Sequence, residues 1–306
     1  MITELLKKND FLWIDVVEPE TKDLETLNTD FDLPYLLVQD CLRPEHLPKY
    51  EESESGGHFL MMRSFDKDAH HQDTSIQELT RKIALFINGN RLITIHRVEL
   101  DFVQALAEKT KKQDFPKTLH WLIHQLILSV IRTYEAPVLR LQDLYDEFEH
   151  QVLVKKDEYL STTTIYHFRR QIFLLKRILK QTNDALYRCK EFWEDQPSML
   201  QDLRENIDQL YFQLDEISNN FEHLFELHIA LNDQRANNVM KFLTVFSSIL
   251  LPLNFIASFY GMNFDHLPGL HSPWALVVLT CLMAAISGWS IWFFRNNGWL
   301  RTGRDK

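Results

Sequence analysis

Residues 242–264 read FLTVFSSILLPLNFIASFYGMNF, and this stretch decides the fold. Its first 18 residues, 242–259, contain no Asp, Glu, Lys, Arg or His, and a second uncharged run of 22 residues follows at 273–294. Because a helix needs about 20 predominantly apolar residues to cross the hydrocarbon core of a bilayer, both runs are long enough to span a membrane. The sequence therefore predicts two transmembrane helices.

The charge of the chain is divided unevenly around this apolar region. Only four of the 33 basic residues and two of the 43 acidic residues follow Lys241, so residues 1–241 have a net charge of −12 and the remainder +2. A surface this acidic disfavours nucleic acid, because phosphate binding requires clustered Lys and Arg, and it attracts cations. We therefore predict cations and membrane lipid as partners, and no nucleic acid.

The sequence carries no recognisable catalytic motif. It has no Gly-rich phosphate loop, no nucleophile elbow and no HExxH motif, and its three cysteines lack the spacing of a metal or redox site. We therefore predict that the protein is not an enzyme and binds no organic cofactor.

Residues 1–116 predict a mixed α/β domain. Short runs rich in β-branched and aromatic residues predict strands at 11–17, 59–65, 82–87 and 91–96. The residues between the last two runs, Asn88-Gly89-Asn90, predict a tight hairpin, and 21–42 has helical spacing.

Residues 117–198 predict a helical hairpin. Long helices are expected at 118–153 and 155–192. The apolar run 119–131 is too short to span a membrane, so we expect it to be buried in the domain.

A third helix should begin near Met199 and continue into the first transmembrane segment, because no Gly or Pro lies between Ser198 and Leu251. Its apolar residues step by four and three in turn, which is the heptad pattern of helices packed along one seam. The seam consists of Leu203, Ile207, Leu210, Leu214, Ile217, Phe221, Leu224, His228 and Leu231. We expect it to pack several copies around a stalk.

Basic residues flank the apolar runs on one side of the membrane. Arg235 and Lys241 precede the first run, Arg295 follows the second, and the loop 260–272 contains no Lys or Arg. Since cytoplasmic flanks carry the excess of Lys and Arg, we predict an inner-membrane protein with both termini in the cytoplasm.

The expected segments are a cytoplasmic α/β domain (1–116), a cytoplasmic helical hairpin (117–198), the cytoplasmic part of a stalk helix (199–241), a pore-lining transmembrane helix (242–259), an external loop (260–272), a second transmembrane helix (273–294) and a basic cytoplasmic tail (295–306).

Polar side chains recur on one face of the first transmembrane helix. Taken at alternating steps of four and three, this face consists of Ser258, Asn254, Leu251, Ser247, Thr244, Met240, Asn237 and Asp233. An Asn in the hydrocarbon core is costly unless it has a partner or faces water, so the stripe either joins helices or lines an aqueous path. Because two spans cannot enclose a pore, an aqueous path requires several copies around an axis, with the first span inside.

The motif YGMNF at residues 260–264 directly follows the first span. Gly261 is expected to adopt a positive φ and end the helix. Asn263 then presents an amide oxygen at the outer mouth, where it can accept hydrogen bonds from the water shell of hydrated Mg²⁺, an ion that dehydrates reluctantly.

The order of these motifs resembles the CorA magnesium-channel superfamily. The segments 238–244 (NVMKFLT), 251–253 (LPL) and 255–264 stand in sequence before a short loop, the second span and a basic tail. Upstream, residues 40–44 (DCLRP) and 47–51 (LPKYE) resemble the acidic helix end and the strand entry of the family. The resemblance covers almost the whole chain.

The resemblance implies a homopentameric funnel, in which an α+β cytoplasmic domain continues through a long stalk helix into two transmembrane helices. It implies a selectivity filter at Gly261, Met262 and Asn263. It implies pore-lining positions at Asn254, where a Thr is more usual, and at Leu251. Ser247, Thr244 and Ser258 share their face by spacing, so we predict that they line the pore as well. The resemblance implies a gate at Met240 and Leu243, and we include Asn237 of the same polar face with it.

The resemblance also implies closure by cytoplasmic Mg²⁺, bound between neighbouring domains by Asp40 and Asp202. An ion that joins two subunits holds them together, and its loss leaves repelling charges. The alternative is that Asp40 caps a helix and Asp202 is a solvated acid in a first helical turn. Gln39 stands where the family usually has an acid.

The external loop departs from the family pattern, because Gly269 stands in place of a Glu. Asp265 remains and can concentrate cations at the mouth. His266 and His271 are additional, and imidazole suits Zn²⁺, Ni²⁺ or Co²⁺ better than Mg²⁺.

Together these features predict a channel that carries Mg²⁺, with Co²⁺ and Ni²⁺ as further candidates, into the cytoplasm down the electrochemical gradient. Mg²⁺ is predicted as both the transported and the regulatory ion. One alternative is a zinc transporter of the ZntB branch, with proton coupling left open. The other is a membrane-anchored coiled-coil scaffold that conducts nothing.

Overall fold

The computed structural model describes residues 2–8, 11–31, 33–53, 56–70, 72–112, 118–154, 161–262 and 274–299, and the chain forms two compact units, 1–224 and 225–306. The elements of the α/β part are β1 (Ile2–Lys8), β2 (Phe11–Val17), α1 (Thr21–Phe31), α2 (Tyr35–Leu42), β3 (Lys49–Glu52), β4 (His58–Phe65), α3 (Ile76–Leu79), β5 (Thr80–Asn88), β6 (Arg91–His96) and α4 (Asp101–Lys112). The helical elements that follow are α5 (Leu119–Arg132), α6 (Glu135–Leu153), α7 (Thr162–Arg188), a 3-10 helix (Cys189–Trp193), α8 (Pro197–Tyr260) and α9 (Ala275–Asn296).

A six-stranded sheet organises the first unit, with the strand order β1-β2-β6-β5-β4-β3. β2 and β6 are parallel, and every other neighbouring pair is antiparallel. The four predicted strands are confirmed as β2, β4, β5 and β6. The predicted hairpin is confirmed as well: Asn88 pairs with Arg91, and Gly89 has a φ of +55°, which glycine adopts without steric cost.

One face of the sheet packs against α1 and α2. Its core consists of Ile14, Val16, Leu27, Leu33, Leu37, Val38, Cys41, Phe59, Met61, Ala84, Phe86, Ile93 and Ile95. The stretch 21–42 is divided into two helices at Leu33-Pro34. Proline disfavours a helical conformation in the residue before it and has no N–H to donate, which explains the break.

The predicted helix 118–153 is also two helices, α5 and α6, separated by Thr133 and Tyr134. Both residues bind β4: the backbone N–H of Phe65 donates to Thr133 Oγ1 at 2.8 Å, and Tyr134 Oη donates to the carbonyl of Arg63 at 2.6 Å. The prediction that 119–131 is buried is confirmed, because most of the apolar side chains of α5 are buried.

The apolar seam of α8 is buried within one chain. All seven seam residues between Leu203 and Leu224 are at most 6 % exposed. Phe221 packs against the rings of Phe168 in α7 and Phe148 in α6, with centroid distances of 4.8 and 5.7 Å. The expectation that this part of the seam packs copies together is therefore wrong, because other residues of the same chain already bury it.

In the second unit, α8 continues without interruption through Pro252 to Tyr260, as predicted, and α9 lies two residues later than the predicted second span. Both helices are long and apolar enough to cross a membrane. Only 6 % of the residues in the most apolar window of each helix are buried, so their side chains are available to lipid or to other copies.

Candidate ion pathway and regulatory carboxylates

The polar stripe of α8 lies on an exposed face of the helix. Thr244, Ser247, Leu251, Asn254 and Ser258 are all exposed. Thr244 Oγ1 donates to the carbonyl of Met240 at 2.8 Å, which leaves its oxygen lone pairs accessible. Within the described residues, the Asn254 amide has no hydrogen-bond partner, so in a membrane it requires water or another chain.

The opposite face of α8 is covered within the same unit. The buried or half-buried residues of this covered face are Val245, Ser248, Ile249, Pro252, Leu253 and Ile256. The less exposed face of α9, the other described helix of the unit, consists of Leu279, Met283, Ile286, Ser287, Ser290 and Phe294. At about 100° per residue the stripe lies on the far side of α8 from the covered face. The stripe therefore takes no part in packing the two apolar helices of one chain together.

The three predicted gate residues are exposed as well. Met240 and Leu243 are 65 % and 55 % exposed, and Asn237 is exposed one turn earlier. Met240 continues the line of the stripe, whereas Leu243 lies to one side of it. Leu251 places a second large apolar side chain, 68 % exposed, within the polar stripe.

α8 ends at Tyr260, directly before the predicted filter. The Gly261 N–H donates to the carbonyl of Ala257 at 2.9 Å, and Met262 is 51 % exposed. The expectation of a positive φ at Gly261 is wrong, since this glycine is not among the left-handed residues. A Cβ there would instead lie 3.1 Å from the Ala257 carbonyl oxygen, a contact tight enough to favour glycine. Asn263, Asp265 and His266 lie outside the described residues.

Asp40, near the end of α2, is held by two basic side chains of its own chain. Its carboxylate lies 2.6 Å from Lys49 Nζ and 3.2 Å from His46 Nε2. Burial acts to raise the pKa of Asp40, but the hydrogen bond and charge of Lys49, with the charges of His46 and Arg43, outweigh it and lower the pKa. Asp40 is therefore ionised and paired with the ammonium group of Lys49, and it does not cap its helix.

Asp202, in the second turn of α8, has a different partner. Its Oδ2 lies 2.8 Å from His124 Nε2 of α5, and its side chain is 52 % exposed. The structure does not bring Asp40 and Asp202 together in one chain. Among the described residues no group of three or more His, Cys, Asp or Glu side chains is arranged to hold a metal ion.

Sequence reasoning missed the partners of these two acids. Lys49 and His46 lie in or just before β3, and His124 lies in α5, 78 residues before Asp202. Lys49 was visible within the segment 47–51, but no sequence spacing connects His124 with Asp202.

Known proteins are similar to this chain over nearly its whole length. A family model described as "CorA-like Mg2+ transporter protein" matches residues 8–296. A relative, the cobalt/magnesium transport protein CorA of Methanocaldococcus jannaschii, is 24 % identical over 300 residues, which cover 94 % of this chain and 91 % of the relative.

Two solved structures share the fold. The complete structure of the CorA magnesium transporter from Methanocaldococcus jannaschii has a TM-score of 0.79 at 20 % identity, covering 96 % of this chain and 93 % of that chain. The ZntB cytoplasmic domain from Vibrio parahaemolyticus has a TM-score of 0.58 at 14 % identity, covering 74 % of this chain and 88 % of that domain. At such low identities these likenesses establish the fold alone.

Proposed function

Because the chain belongs to the CorA-like Mg²⁺ transporter family, we propose that it is a channel that carries Mg²⁺ into the cytoplasm down the electrochemical gradient. Membership confirms the resemblance seen in the sequence motifs, and the family is one of divalent-cation transporters rather than enzymes. The name of the relative from Methanocaldococcus jannaschii supports Co²⁺ as a second ion. The observation that carries the proposal is the exposed polar stripe of α8, on the far side from its covered face.

The channel is a homopentamer with α8 inside and α9 outside, as in the family funnel. Two spans cannot enclose a pore, and the exposed stripe of α8 carries polar side chains where lipid would require apolar ones. When five copies turn their stripes towards one axis, water in the central pore hydrates Asn254, Ser247 and Thr244. Both termini lie in the cytoplasm, because the basic flanks of the two spans lie on the same side.

Ions enter through a filter made by five copies of Gly261, Met262 and Asn263. Amide and carbonyl oxygens bind the water shell of Mg²⁺ without removing it, which suits an ion that sheds water reluctantly. The external Asp265 and His266 stand next to this entrance in the sequence, and the carboxylate concentrates cations there. The membrane potential supplies about 2.3 kcal/mol per charge per 100 mV, which is doubled for a divalent ion, so no ATP is required.

The gate is an apolar constriction. Rings of Met240, Leu243 and Leu251 around the axis exclude water when the helices are close, since narrow apolar pores close by dewetting. Asn237 provides a polar ring on the cytoplasmic side of Met240.

Cytoplasmic Mg²⁺ closes the channel by joining Asp40 of one copy to Asp202 of the next. Each acid is accessible but already engaged, Asp40 by Lys49 and Asp202 by His124. Mg²⁺ therefore competes with Lys49 for Asp40, and its loss returns Asp40 to this internal partner. Such competition supports a low-affinity sensor that responds to changes in a plentiful ion.

Flux measurements test the proposed function. Purified protein in vesicles is loaded with an indicator, and uptake of Mg²⁺, Co²⁺, Ni²⁺ and Zn²⁺ is compared with and without a pH gradient. We expect Mg²⁺ uptake that follows the membrane potential and is unaffected by the pH gradient. Uptake of Zn²⁺ that requires a pH gradient would instead support the ZntB-like alternative, and absence of any uptake would support the scaffold.

A further inference from the structure

A cavity of about 590 Å³ opens at one edge of the sheet, away from the candidate ion pathway. It lies where the parallel strands β2 and β6 end and β5 begins, and α2 borders it. The carboxyl ends of parallel strands are a common place for ligand sites. Its charged lining residues are Glu18, Arg63, Arg81, Lys82 and Arg97.

Four of these residues are basic and only one is acidic. Arg63 and Lys82 are almost fully buried, at 2 % and 8 % exposure, whereas the acidic residue, Glu18, is exposed. Burying a charge is costly unless it is paired, so two buried cations in one cavity wall require an explanation.

Neither buried cation pairs with a carboxylate of any described residue. Arg63 donates to Thr80 Oγ1 at 2.6 Å and to the carbonyls of Pro44 and His46 at 2.9 and 2.8 Å. Lys82 Nζ donates to the carbonyls of Asp40 and Arg43 at 2.6 and 2.5 Å. All of these acceptors are neutral oxygens.

Lys82 has one N–H donor that no described acceptor uses. An ammonium group has three N–H donors, and the carbonyls of Asp40 and Arg43 use two of them. The third is available to a bound anion.

The cationic wall extends to the mouth of the cavity. Arg81 pairs with Asp66 at 2.5 Å, and Arg97 is exposed and makes no hydrogen bond or ion pair with any described residue. The apolar part of the lining is formed by Pro19, Leu42, Pro44 and Val98.

We propose that this cavity binds a phosphate-bearing anion, with the phosphate on Arg97, Lys82 and Arg81 and an organic portion against the apolar residues. Arginine matches phosphate oxygens with two parallel donors, and lysine adds a point charge. The volume is ample for a compound of nucleotide size. The bound anion supplies the negative charge that the buried cations lack.

The anion also acts on the segment that carries Asp40. The two buried cations donate hydrogen bonds to the carbonyls of Asp40, Arg43, Pro44 and His46. An anion that binds Lys82 therefore alters the hydrogen bonds that hold this segment in place. If Asp40 binds cytoplasmic Mg²⁺, the anion shifts the Mg²⁺ concentration that closes the channel. This consequence rests on the proposed function, whereas anion binding does not.

Calorimetric titration of the full-length protein in detergent tests the site. With EDTA present to remove divalent ions, the probes are inorganic phosphate, pyrophosphate and ADP. We expect saturable binding that Arg97→Gln weakens by about tenfold or more, the effect of losing a charge-assisted contact. The matched control is Arg91→Gln, an exposed arginine at the opposite end of β6, which should bind as the unchanged protein does.

The three probes distinguish the sources of the anion. Tighter binding of ADP than of pyrophosphate supports a nucleotide that uses the apolar residues, and equal binding supports an inorganic polyphosphate. Absence of binding by all three probes overturns the proposal, as does binding that Arg97→Gln leaves unchanged or that both variants weaken equally. Mg²⁺ flux of the same preparation, measured separately, shows whether the proposed function itself stands.

Discussion

The proposed sensor depends on a competition between Mg²⁺ and a single side chain, Lys49, for the carboxylate of Asp40. Asp40 already has a cation, the ammonium group of Lys49, which also contacts Glu51 at 2.5 Å. Burial acts to lower the pKa of Lys49, but its hydrogen bonds with Asp40 and Glu51 outweigh this and raise it. The sequence identified the acid, but its partner depends on how β3 lies beside the end of α2.

Removing either sensing carboxylate should reduce inhibition by cytoplasmic Mg²⁺. We expect Asp40→Asn and Asp202→Asn each to raise the Mg²⁺ concentration that closes the channel by about tenfold, equivalent to about 1.4 kcal/mol. Mg²⁺ flux into vesicles, measured against Mg²⁺ on the cytoplasmic face, checks this. The control is Asp208→Asn, an exposed acid elsewhere on α8 that should leave inhibition unchanged. Normal inhibition in both sensor variants would remove the regulatory role.

The filter amide should be indispensable for selective conduction. Asn263→Ala removes the oxygen proposed to bind the water shell, so we expect Mg²⁺ flux to fall by about 100-fold, as for other sites that lose a required polar group. Asn219→Ala, on an exposed face of the cytoplasmic part of α8, is the control. Flux of Asn263→Ala at the level of the unchanged protein would exclude this residue from the filter.

At the scale of elements, periodicity predicted which residues are buried but not what buries them. The heptad seam of α8 is buried as expected, yet helices of the same chain cover it between Leu203 and Leu224. A heptad looks the same whether the partner is another chain or a neighbouring helix. The break between α5 and α6 was missed for a similar reason, since tertiary contacts of Thr133 and Tyr134 accompany it. β1 was missed because its sequence, ITELLKK, does not alternate between apolar and polar residues.

The seam should contribute to the stability of one chain. Leu214 is fully buried, so Leu214→Ala should lower the free energy of unfolding by about 2–5 kcal/mol through lost burial and a cavity. Leu139→Ala is the matched control, because this leucine of α6 is 65 % exposed and should cost less than about 0.5 kcal/mol. Denaturant unfolding followed by circular dichroism in detergent measures both. Equal effects would mean that the seam is not packed as described.

Two neighbouring serines allow the proposed ion pathway to be tested separately from the packing of helices. Ser247 lies on the exposed stripe and Ser248 on the covered face of α8. Ser247→Val should therefore reduce Mg²⁺ flux by about tenfold, because it replaces a hydroxyl in the aqueous path with two methyl groups. Ser248→Val should conduct normally once flux is expressed per correctly assembled protein. The reverse result would place the pathway on the other side of the helix.

At the scale of the whole molecule, one chain leaves large apolar surfaces uncovered. Phe242, Phe246, Phe255, Leu276, Trp289 and Trp292 are each more than half exposed. Lipid can cover such surfaces, but it cannot satisfy Asn254 and Ser247 on the stripe. Residues 1–241 have a net charge of −12, and the rest of the chain has +2. The part of the chain that attracts cations is therefore the one that precedes the apolar helices.

Five copies should be present in the assembled protein. Native mass spectrometry from detergent should give five times the chain mass of 36.4 kDa. Since the seam is buried within each chain, Leu214→Ala at its centre should leave this number unchanged wherever the chain still folds. A stable monomer or dimer that conducts Mg²⁺ would contradict the pore arrangement.

Pro252 gives α8 an uneven stiffness along its length. Proline has no N–H to donate to the carbonyl four residues earlier, which belongs to Ser248, so one rung of the helical ladder is missing inside the span. Bending is less costly at such a point than anywhere in the fully bonded stretch before it. The short outer segment with Asn254 and Ser258 can therefore pivot while the stretch with Met240 and Leu243 keeps its form. In the proposed pore, such a pivot would let the width at the filter change independently of the width at the gate.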